Sequence, residues 1–253
     1  MTRRVLRWLA PLATFVVLIL LWDLATKAFD WEPWLVPPPG DVAQALWDYR
    51  GLLPEHTWVT LWESLAGFLL AIVVGIPLGG LIAYSRLLEL TVYPLLLGLN
   101  AVPKIAIAPI LILWMGFGPG PKILVSFLLC VFPIVIATAT GLKQTPAELV
   151  ELARSLCASQ WQTFRRFRFP SALPEIFIGL KVAISLAVIG AVIGEFVGAS
   201  EGLGWVIVNS GANVNTSLAF AAMAILALVS VVLFYAIALL ERLVVPWARH
   251  RGS

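Results

Sequence analysis

The chain has 253 residues, of which 60% are hydrophobic and only 12% are charged, and its mean hydropathy is +0.95. Soluble domains carry about 25% charged residues, so this composition excludes an ordinary water-soluble domain and indicates a membrane protein with about six spanning helices. The net charge of +3 does not indicate nucleic-acid binding, because the basic residues follow the membrane topology and form no binding stripe.

Six long apolar runs predict membrane-spanning helices, which makes the chain an all-α polytopic membrane protein. The first run follows a basic start, as the core of a signal peptide would. It is long, however, and has no small-residue cleavage site before Asp30, which favours a retained helix. The predicted spans are 8–29, 58–84, 91–116, 122–142, 176–199 and 217–240.

The connection between the first two spans is polar and contains the sequence VPPPGDVAQALW. Its prolines predict an extended segment over 36–39, and Gly40 and Asp41 begin a short amphipathic helix that ends near Tyr49. Prolines also interrupt the third span, at Pro94, Pro103 and Pro109.

The segment 143–174, called the elbow below, is the one stretch that a membrane does not explain. It is long and rich in arginine, although a short turn would join the fourth and fifth spans. Pro146 predicts the start of a helix, and a second short helix is expected from Trp161 to Phe169, ending at Pro170. The first helix has an apolar stripe of Leu149, Leu152, Ala153 and Leu156.

Two interpretations of the elbow are open on this pattern. It could lie flat on the inner leaflet, with its arginines facing lipid phosphates and Trp161, Phe164 and Phe167 in lipid. It could instead insert its apolar ridge into a groove on a soluble partner and transmit the movement of that partner.

The basic residues predict which ends of the spans are cytoplasmic. Twelve lie inside and three outside if both termini, the 85–91 turn and the elbow are cytoplasmic. We therefore expect a multi-pass protein of the bacterial inner membrane with both termini in the cytoplasm. The inner set is Arg3, Arg4, Arg7, Arg86, Lys143, Arg154, Arg165, Arg166, Arg168, Arg242, Arg249 and Arg251; the outer set is Lys27, Arg50 and Lys122.

The elbow is specific enough to indicate a family. ELARSLCAS over 151–159, followed by WQTFR and FPSALP, resembles the EAA loop of ATP-binding-cassette (ABC) importer permeases. VPPPGDVAQAL, NAVPKIAIAPILILWMGFG and GEFVGASEGLGWVI are similar to the branch that transports nitrate, sulfonates, taurine and vitamin-precursor pyrimidines, so the likeness covers nearly the whole chain. Two residues depart from the motif: Leu152 replaces the usual second alanine, and Cys157 replaces a glycine at the bend.

The resemblance implies a type I importer with the MetI-like permease fold. Two permease copies, as a homodimer, would form the pathway, two ATP-binding subunits would dock on the elbows, and a periplasmic or lipid-anchored binding protein would deliver the substrate. ATP and Mg would be used by the ATP-binding partner. This chain has no GxxxxGK loop followed by Ser or Thr, and it is expected to bind no cofactor and to be no enzyme. The implied docking positions are Glu151, Ala153, Arg154, Cys157, Ala158 and Ser159.

Ionisable residues inside a span are costly and need a partner or a water-filled cavity. Lys104 and Asn100 lie in the proline-interrupted third span, which suits a position lining the translocation pathway. Alternatively, Lys104 extends to the interface or pairs with a carboxylate such as Glu195. Glu195 could likewise line the pathway, or could form a structural ion pair or a hydrogen-bonded, protonated acid.

Glycines recur at four-residue spacing on two spans, which lets helices approach closely. Helix packing is the expected role, and such faces would also let helices slide in a pore that alternates its access. The glycines are Gly75 and Gly79 in the second span, and Gly190, Gly194 and Gly198 in the fifth.

The sequence shows no cluster of residues suited to metal binding or catalysis, because Cys130, Cys157, His56 and His250 are widely separated. The alternative function is a secondary transporter or channel driven by an ion gradient, which predicts an inverted repeat and paired intramembrane carboxylates. No repeat is visible, and Glu195 is the acid expected to lie deep in a span. The substrate stays open, since Lys104 suits an anion and the aromatic-rich spans suit a neutral heterocycle.

Overall fold

The computed structural model describes residues 2–247, with side chains from residue 13 onward. Arg249, His250 and Arg251 lie outside the described residues, as do the side chains of Arg3, Arg4 and Arg7. The helices are α1 Thr2–Ala28, α2 Pro39–Asp48, α3 Leu53–Tyr84, α4 Arg86–Ala101, α5 Lys104–Met115, α6 Pro119–Lys143, α7 Ala147–Ser155, α8 Gln160–Thr163, α9 Phe169–Gly198, α10 Leu203–Ala212 and α11 Thr216–Val244, and a π-helical segment, Phe164–Arg168, joins α8 to α9.

Helices lie over all six predicted spans. In the part of the chain that the structure describes, four units are long and apolar enough to cross a membrane: α3, α6, α11 and the continuous unit 160–198 that ends as α9. The pair α4 and α5 would supply a fifth crossing, bent by 91° at its break. The break falls at Val102, whose extended backbone (φ −68°, ψ 129°) is what a following proline favours, whereas Pro94 and Pro109 lie inside helices.

The centre of the bundle is α6, which lies between α3 and α9. Ala71 of α3, Ile134 of α6, and Ala183 and Ile184 of α9 are all almost completely buried in one cluster. Because small residues recur on these faces, the three helix backbones approach closely.

The outer helices leave much of their apolar surface exposed. Among the described residues, α4 has no buried side chain, and the most apolar window of α11 is not buried inside the chain. Exposed apolar faces of this extent suit contact with lipid or with another subunit.

The elbow joins the fifth span without a break, so the predicted helix end at Pro170 is wrong. The Phe169 amide donates to the Phe164 carbonyl, one residue further back than in an α-helix, and the chain continues directly into α9. Pro170 lies in the first turn of α9, where a missing N–H is tolerated. The helix that carries the predicted fifth span consequently begins well before residue 176.

A helix that the sequence did not predict, α10, follows the fifth span. It begins after Gly202, which has φ +105° and permits the sharp reversal out of α9. Leu203 and Val206 of α10 pack against Leu53 and Leu218, so this connection belongs to the core and is not a solvated loop.

Candidate functional site

The elbow presents two leucines to the outside. Leu152 and Leu156 are 48% and 67% exposed, and their spacing of four places them on one face of α7 and its C-terminal cap. Leu149 is half-buried and Ala153 is fully buried. The predicted stripe therefore splits into an inner half that holds the elbow together and an exposed pair, Leu152 and Leu156, called the leucine ridge below.

Ala153, one of the expected docking residues, supports the elbow from inside. It has no exposed surface, and its carbonyl accepts a hydrogen bond of 3.0 Å from the Ala158 amide, which closes the turn after α7. A side chain enclosed in this way is not available to a docked partner.

Of the other predicted docking residues, some are exposed and some stabilise the turn between α7 and α8. Glu151 and Arg154 are exposed. Ser159 caps α8 in a capping box: its hydroxyl accepts from the Gln162 amide at 3.2 Å, and the Gln162 side chain accepts from the Ser159 amide at 2.9 Å. Ser159 and the half-buried Ala158 thus shape the turn, and Glu151 and Arg154 border the leucine ridge.

Cys157 is exposed and has φ +52°, in the left-handed region that costs a non-glycine residue about 1–2 kcal/mol. Glycine adopts this conformation freely, which gives a physical reason for the glycine expected at this bend.

We expect Cys157→Gly to stabilise the elbow by up to about 1 kcal/mol, since the left-handed strain is removed and part of the gain is offset by the flexibility of glycine in the unfolded chain. Amide hydrogen exchange in the elbow should slow. Cys157→Ala is the matched control, because it keeps the strain and should exchange like the unmodified protein. Equal exchange in the two variants would contradict the strain argument.

Aromatic contacts hold the elbow on the end of α3. The Arg168 guanidinium lies 5.1 Å from the centre of the Tyr84 ring, and Phe164 meets the same ring edge-on at 5.9 Å. Trp161 stacks on Phe164 at 5.6 Å and stays largely exposed. Phe164 therefore packs against Tyr84 and Trp161, whereas the flat-lying interpretation places it in lipid.

Lys104 and Asn100 meet at the bend between α4 and α5. The Lys104 ammonium donates to the Asn100 carbonyl at 2.7 Å and to the Asn100 side-chain oxygen at 2.6 Å. Both residues line a small, mainly apolar cavity of about 140 Å³. The alternative pair of Lys104 with Glu195 is not formed, because each residue has other partners.

Glycines of α9 lie directly on the backbone of α6. A Cβ added at Gly190 would stand 2.5 Å from Ser126 Cα, and one at Gly194 would stand 2.8 Å from Lys122 Cα. Along the same seam, the Ser126 hydroxyl donates to the Ala187 carbonyl at 3.0 Å. Gly75 and Gly79 approach α6 from α3 in the same manner, whereas Gly198 lies beside Phe117 in the turn after α5.

A buried ion pair joins α3 to α6, and the sequence reading missed it. The Lys122 ammonium lies 2.7 Å from a carboxylate oxygen of Glu63, with 9% and 2% of the two side chains exposed. Lys122, which the sequence analysis places in the outer set of basic residues, is buried, because the first turn of α6 is covered by α3 and α9. An acid inside the apolar second span was the signal that could have revealed the pair.

Glu195 is enclosed and lines no open pathway in this structure. It is 1% exposed; its carboxylate accepts from the Thr60 hydroxyl at 2.7 Å and from the Gly204 amide at 2.6 Å. The Leu203 amide donates to Thr60 at 2.8 Å, so the N-terminus of α10 is bound to α3 and α9. Glu195 is therefore hydrogen-bonded through both carboxyl oxygens, and within the described residues it forms no direct ion pair.

Comparison with known proteins places these features in a family. Residues 71–250 match the family model described as "Binding-protein-dependent transport system inner membrane component". A probable ABC transporter permease protein of Haemophilus influenzae is 38% identical over 97% of both chains. The formylaminopyrimidine transport permease protein ThiX of Halalkalibacterium halodurans is 36% identical over 95% of this chain and 96% of its own length. The riboflavin transport system permease protein RibX of Chloroflexus aurantiacus is 38% identical over 92% and 88%.

A solved structure shows the same fold. The inward-facing MetNI methionine ABC transporter contains a chain that matches with a TM-score of 0.66, at 22% identity, over 74% of this chain and 93% of that one. The predicted all-α, MetI-like architecture is therefore confirmed.

Proposed function

The chain belongs to the family of binding-protein-dependent transport system inner membrane components, and from this premise we propose that its elbow is the docking surface for an ATP-binding subunit. The chain is the transmembrane permease subunit of an ABC importer, a transport subunit and not an enzyme. Such a permease works with ATP-binding subunits and a substrate-binding protein. The observation that carries the proposal is the leucine ridge, an exposed apolar pair on a charged and otherwise well-anchored hairpin.

The ridge has the composition of a helix that enters a groove. Burying one leucine side chain contributes about 1.5–3 kcal/mol, so Leu152 and Leu156 together supply an apolar part of the free energy of docking. Glu151 and Arg154 border the ridge and supply the polar rim that protein interfaces carry. Leu152, which departs from the alanine of the motif, enlarges the apolar contact.

Movement of the docked subunit would pass along one continuous helical unit. Residues 160–198 form 39 consecutive helical residues, about 58 Å at 1.5 Å per residue, from the elbow to Gly198. ATP and Mg²⁺ bind to the partner subunits, whose closure displaces the elbows and tilts these helices. The pathway then opens toward the binding protein, and hydrolysis resets it.

A homodimer of permeases completes the transporter. The exposed apolar faces of α4, α5 and α11 supply surface for a second copy as well as for lipid. The charge bias of the loops and termini supports a cytoplasmic position for the elbow and both termini, and the family description supports the bacterial inner membrane.

The substrate class that the observations favour is a small nitrogen heterocycle. Two relatives above 35% identity are named for formylaminopyrimidine and riboflavin transport. Lys104, the cation that would argue for a sulfonate, taurine or nitrate, already donates to two oxygens of Asn100. Lys104 and Asn100 stay our candidates for residues that line the pathway. Their role there would be to fix the bend between α4 and α5.

Uptake by proteoliposomes tests this function. The permease is reconstituted with its ATP-binding subunit and binding protein, and ATP is supplied on the side of the membrane that carries the ATP-binding subunit. Uptake of labelled formylaminopyrimidine is then compared with uptake of labelled taurine. We expect ATP-dependent uptake of the heterocycle. Uptake driven by an ion gradient without ATP would favour the secondary-transporter alternative, and taurine uptake alone would overturn the substrate class.

In the same assay Lys104→Ala should raise the substrate KM or lower the maximal rate several-fold, since the bend loses the bonds that join α4 to α5. Lys27→Ala, at an exposed intrahelical ion pair with Asp23, is the control and should transport normally. Unchanged kinetics in Lys104→Ala would remove it from the pathway.

A further inference from the structure

A cavity of about 440 Å³ lies at the end of α3 that is opposite the elbow. The end of α2, the first turn of α3, the connection after α9, α10 and the start of α11 enclose it. Tyr84, at the other end of α3, contacts the elbow, and the 32 residues of this helix span about 48 Å. With the elbow in the cytoplasm, as proposed above, the cavity lies on the outer side, where an importer receives its substrate.

Hydrogen bonds and ring contacts hold the walls of the cavity in place. The side-chain amide of Asn215, at the start of α11, donates to the Tyr49 hydroxyl at the end of α2, at 3.0 Å. The His56 ring of α3 stacks on the Trp205 ring of α10 at 5.2 Å, and its Nδ1 accepts from the Gly202 amide at 3.0 Å. These contacts join four helices, so the cavity is preformed, as small-molecule sites usually are.

Two buried side chains on these walls carry polar groups without partners. Because Nδ1 of His56 accepts a hydrogen bond, the neutral ring carries its hydrogen on Nε2, and this N–H has no acceptor among the described residues. The Ser210 hydroxyl likewise forms no hydrogen bond within the described part of the chain. Both residues line the cavity and are only 6% and 3% exposed. Buried polar groups are nearly always paired, so these two indicate that the cavity holds something that binds them.

The surroundings of the cavity favour a neutral ligand over an anion. No charged side chain lines it in the part of the chain that the structure describes. The acids next in sequence to its lining residues, Asp48, Glu55 and Glu201, are exposed and would repel an anion. The neighbouring cation, Arg50, folds onto Trp47, with its guanidinium 4.7 Å from the ring centre and donating to the Trp47 carbonyl. A sulfonate would therefore meet like charge here and no cation on the walls.

Amide groups and aromatic rings supply the remaining contacts. Asn209 and Asn213 of α10 are exposed at the cavity. The Asn213 amide donates to the Asn209 carbonyl at 2.8 Å and to the Asn209 side-chain oxygen at 3.4 Å, and the Asn213 oxygen has no donor among the described residues. Side-chain amides of this kind match the N–H and acceptor groups on the edge of a heterocyclic base. The half-buried rings of Tyr49 and Trp205 offer a planar ligand apolar surface.

We propose that this cavity binds a neutral, planar nitrogen heterocycle, with His56 Nε2–H donating to a carbonyl oxygen or ring nitrogen of the ligand. The Ser210 hydroxyl binds a second polar atom, and Asn209 and Asn213 bind the outer edge. The volume of about 440 Å³ is that of a small-molecule site, whereas the cavity beside Lys104 has about 140 Å³. The site gives the substrate a first position on the permease after it leaves the binding protein. The identity of the ligand rests on the proposed function, and the site itself rests on the geometry of the cavity.

Equilibrium dialysis of the purified permease in lipid nanodiscs, without the binding protein, tests the site. Labelled formylaminopyrimidine is the probe, and labelled ethanesulfonate is the anionic comparison. We expect saturable binding of the pyrimidine and none of the sulfonate. Ser210→Ala should weaken pyrimidine binding about 3- to 10-fold, the effect of one hydrogen bond, without lowering the melting temperature. Ser185→Ala, which removes a hydroxyl that donates to the Lys181 carbonyl within α9, is the matched control and should bind normally.

His56→Asn separates the two nitrogen atoms of the imidazole. The asparagine oxygen can replace Nδ1 as the acceptor for the Gly202 amide, but nothing replaces the Nε2–H. We expect the pyrimidine affinity to fall about tenfold. Unchanged affinity in both His56→Asn and Ser210→Ala would overturn the site.

Other outcomes would also contradict the proposal. A cavity that holds only water predicts no saturable pyrimidine binding, and equal binding of ethanesulfonate would refute the ligand class. If Ser210→Ala weakened only the affinity for the binding protein, the cavity would receive a segment of that protein and not the substrate. ATP-dependent pyrimidine uptake by the unmodified transporter, together with no pyrimidine binding to the permease, would remove this site and leave the proposed function intact.

Discussion

Replacing Leu156 by Asp should separate the permease from its ATP-binding subunit. The side chain is 67% exposed in the isolated chain and would be buried on docking, so the change removes about 1.5–3 kcal/mol of apolar contact and places a charge in an apolar groove. We expect affinity for the ATP-binding subunit to fall by about 100-fold or more. Titration of the purified ATP-binding subunit against the permease in lipid nanodiscs measures this directly.

Leu35→Asp is the control for that experiment. Leu35 is 55% exposed in the connection between α1 and α2, outside the elbow and outside the faces offered to a second copy, so the same substitution there should leave the affinity unchanged. Full affinity in Leu156→Asp would show that the elbow is not the docking surface. Equal loss in both variants would show that a charge acts through the membrane domain and not through the leucine ridge.

Gly190→Ala should strongly destabilise the membrane domain. The added methyl group would stand 2.5 Å from Ser126 Cα and 2.9 Å from Ser126 N, atoms of a backbone that α3 presses from the opposite side. Overpacking of this kind costs about 1–3 kcal/mol, and displacement of α6 would also break the bond from Ser126 to the Ala187 carbonyl. The melting temperature of the purified protein should fall by several degrees.

Gly98→Ala is the matched control, because a Cβ at that helical glycine meets nothing within 4 Å. It should melt at or above the temperature of the unmodified protein, since alanine is the better helix former. If both variants melted alike, the contact between α6 and α9 would be looser than the structure shows.

The local pattern of the sequence was enough to predict the all-α membrane class, the family and the position of the elbow. Apolar runs longer than a membrane is thick can only be helices, because a backbone in lipid must satisfy its own hydrogen bonds. Pro103 likewise marked the break of the third span, since the residue before a proline is driven out of the helical conformation. The bend at Cys157 followed from the resemblance, because the family has a glycine there, and the structure gives Cys157 a positive φ.

Contacts between distant residues were not readable in this way. Lys122 looks solvated beside a loop, and only the packing of α3 on α6 brings it to Glu63, 59 residues away. Ala153 belongs to the docking motif, yet it is buried beside the turn after α7. The first amides of α10 donate to Glu195 and Thr60, which lie on two other helices. Hydrophobicity and backbone preference act along the chain and so appear in the sequence, whereas the partners of buried polar groups are chosen by which helices meet.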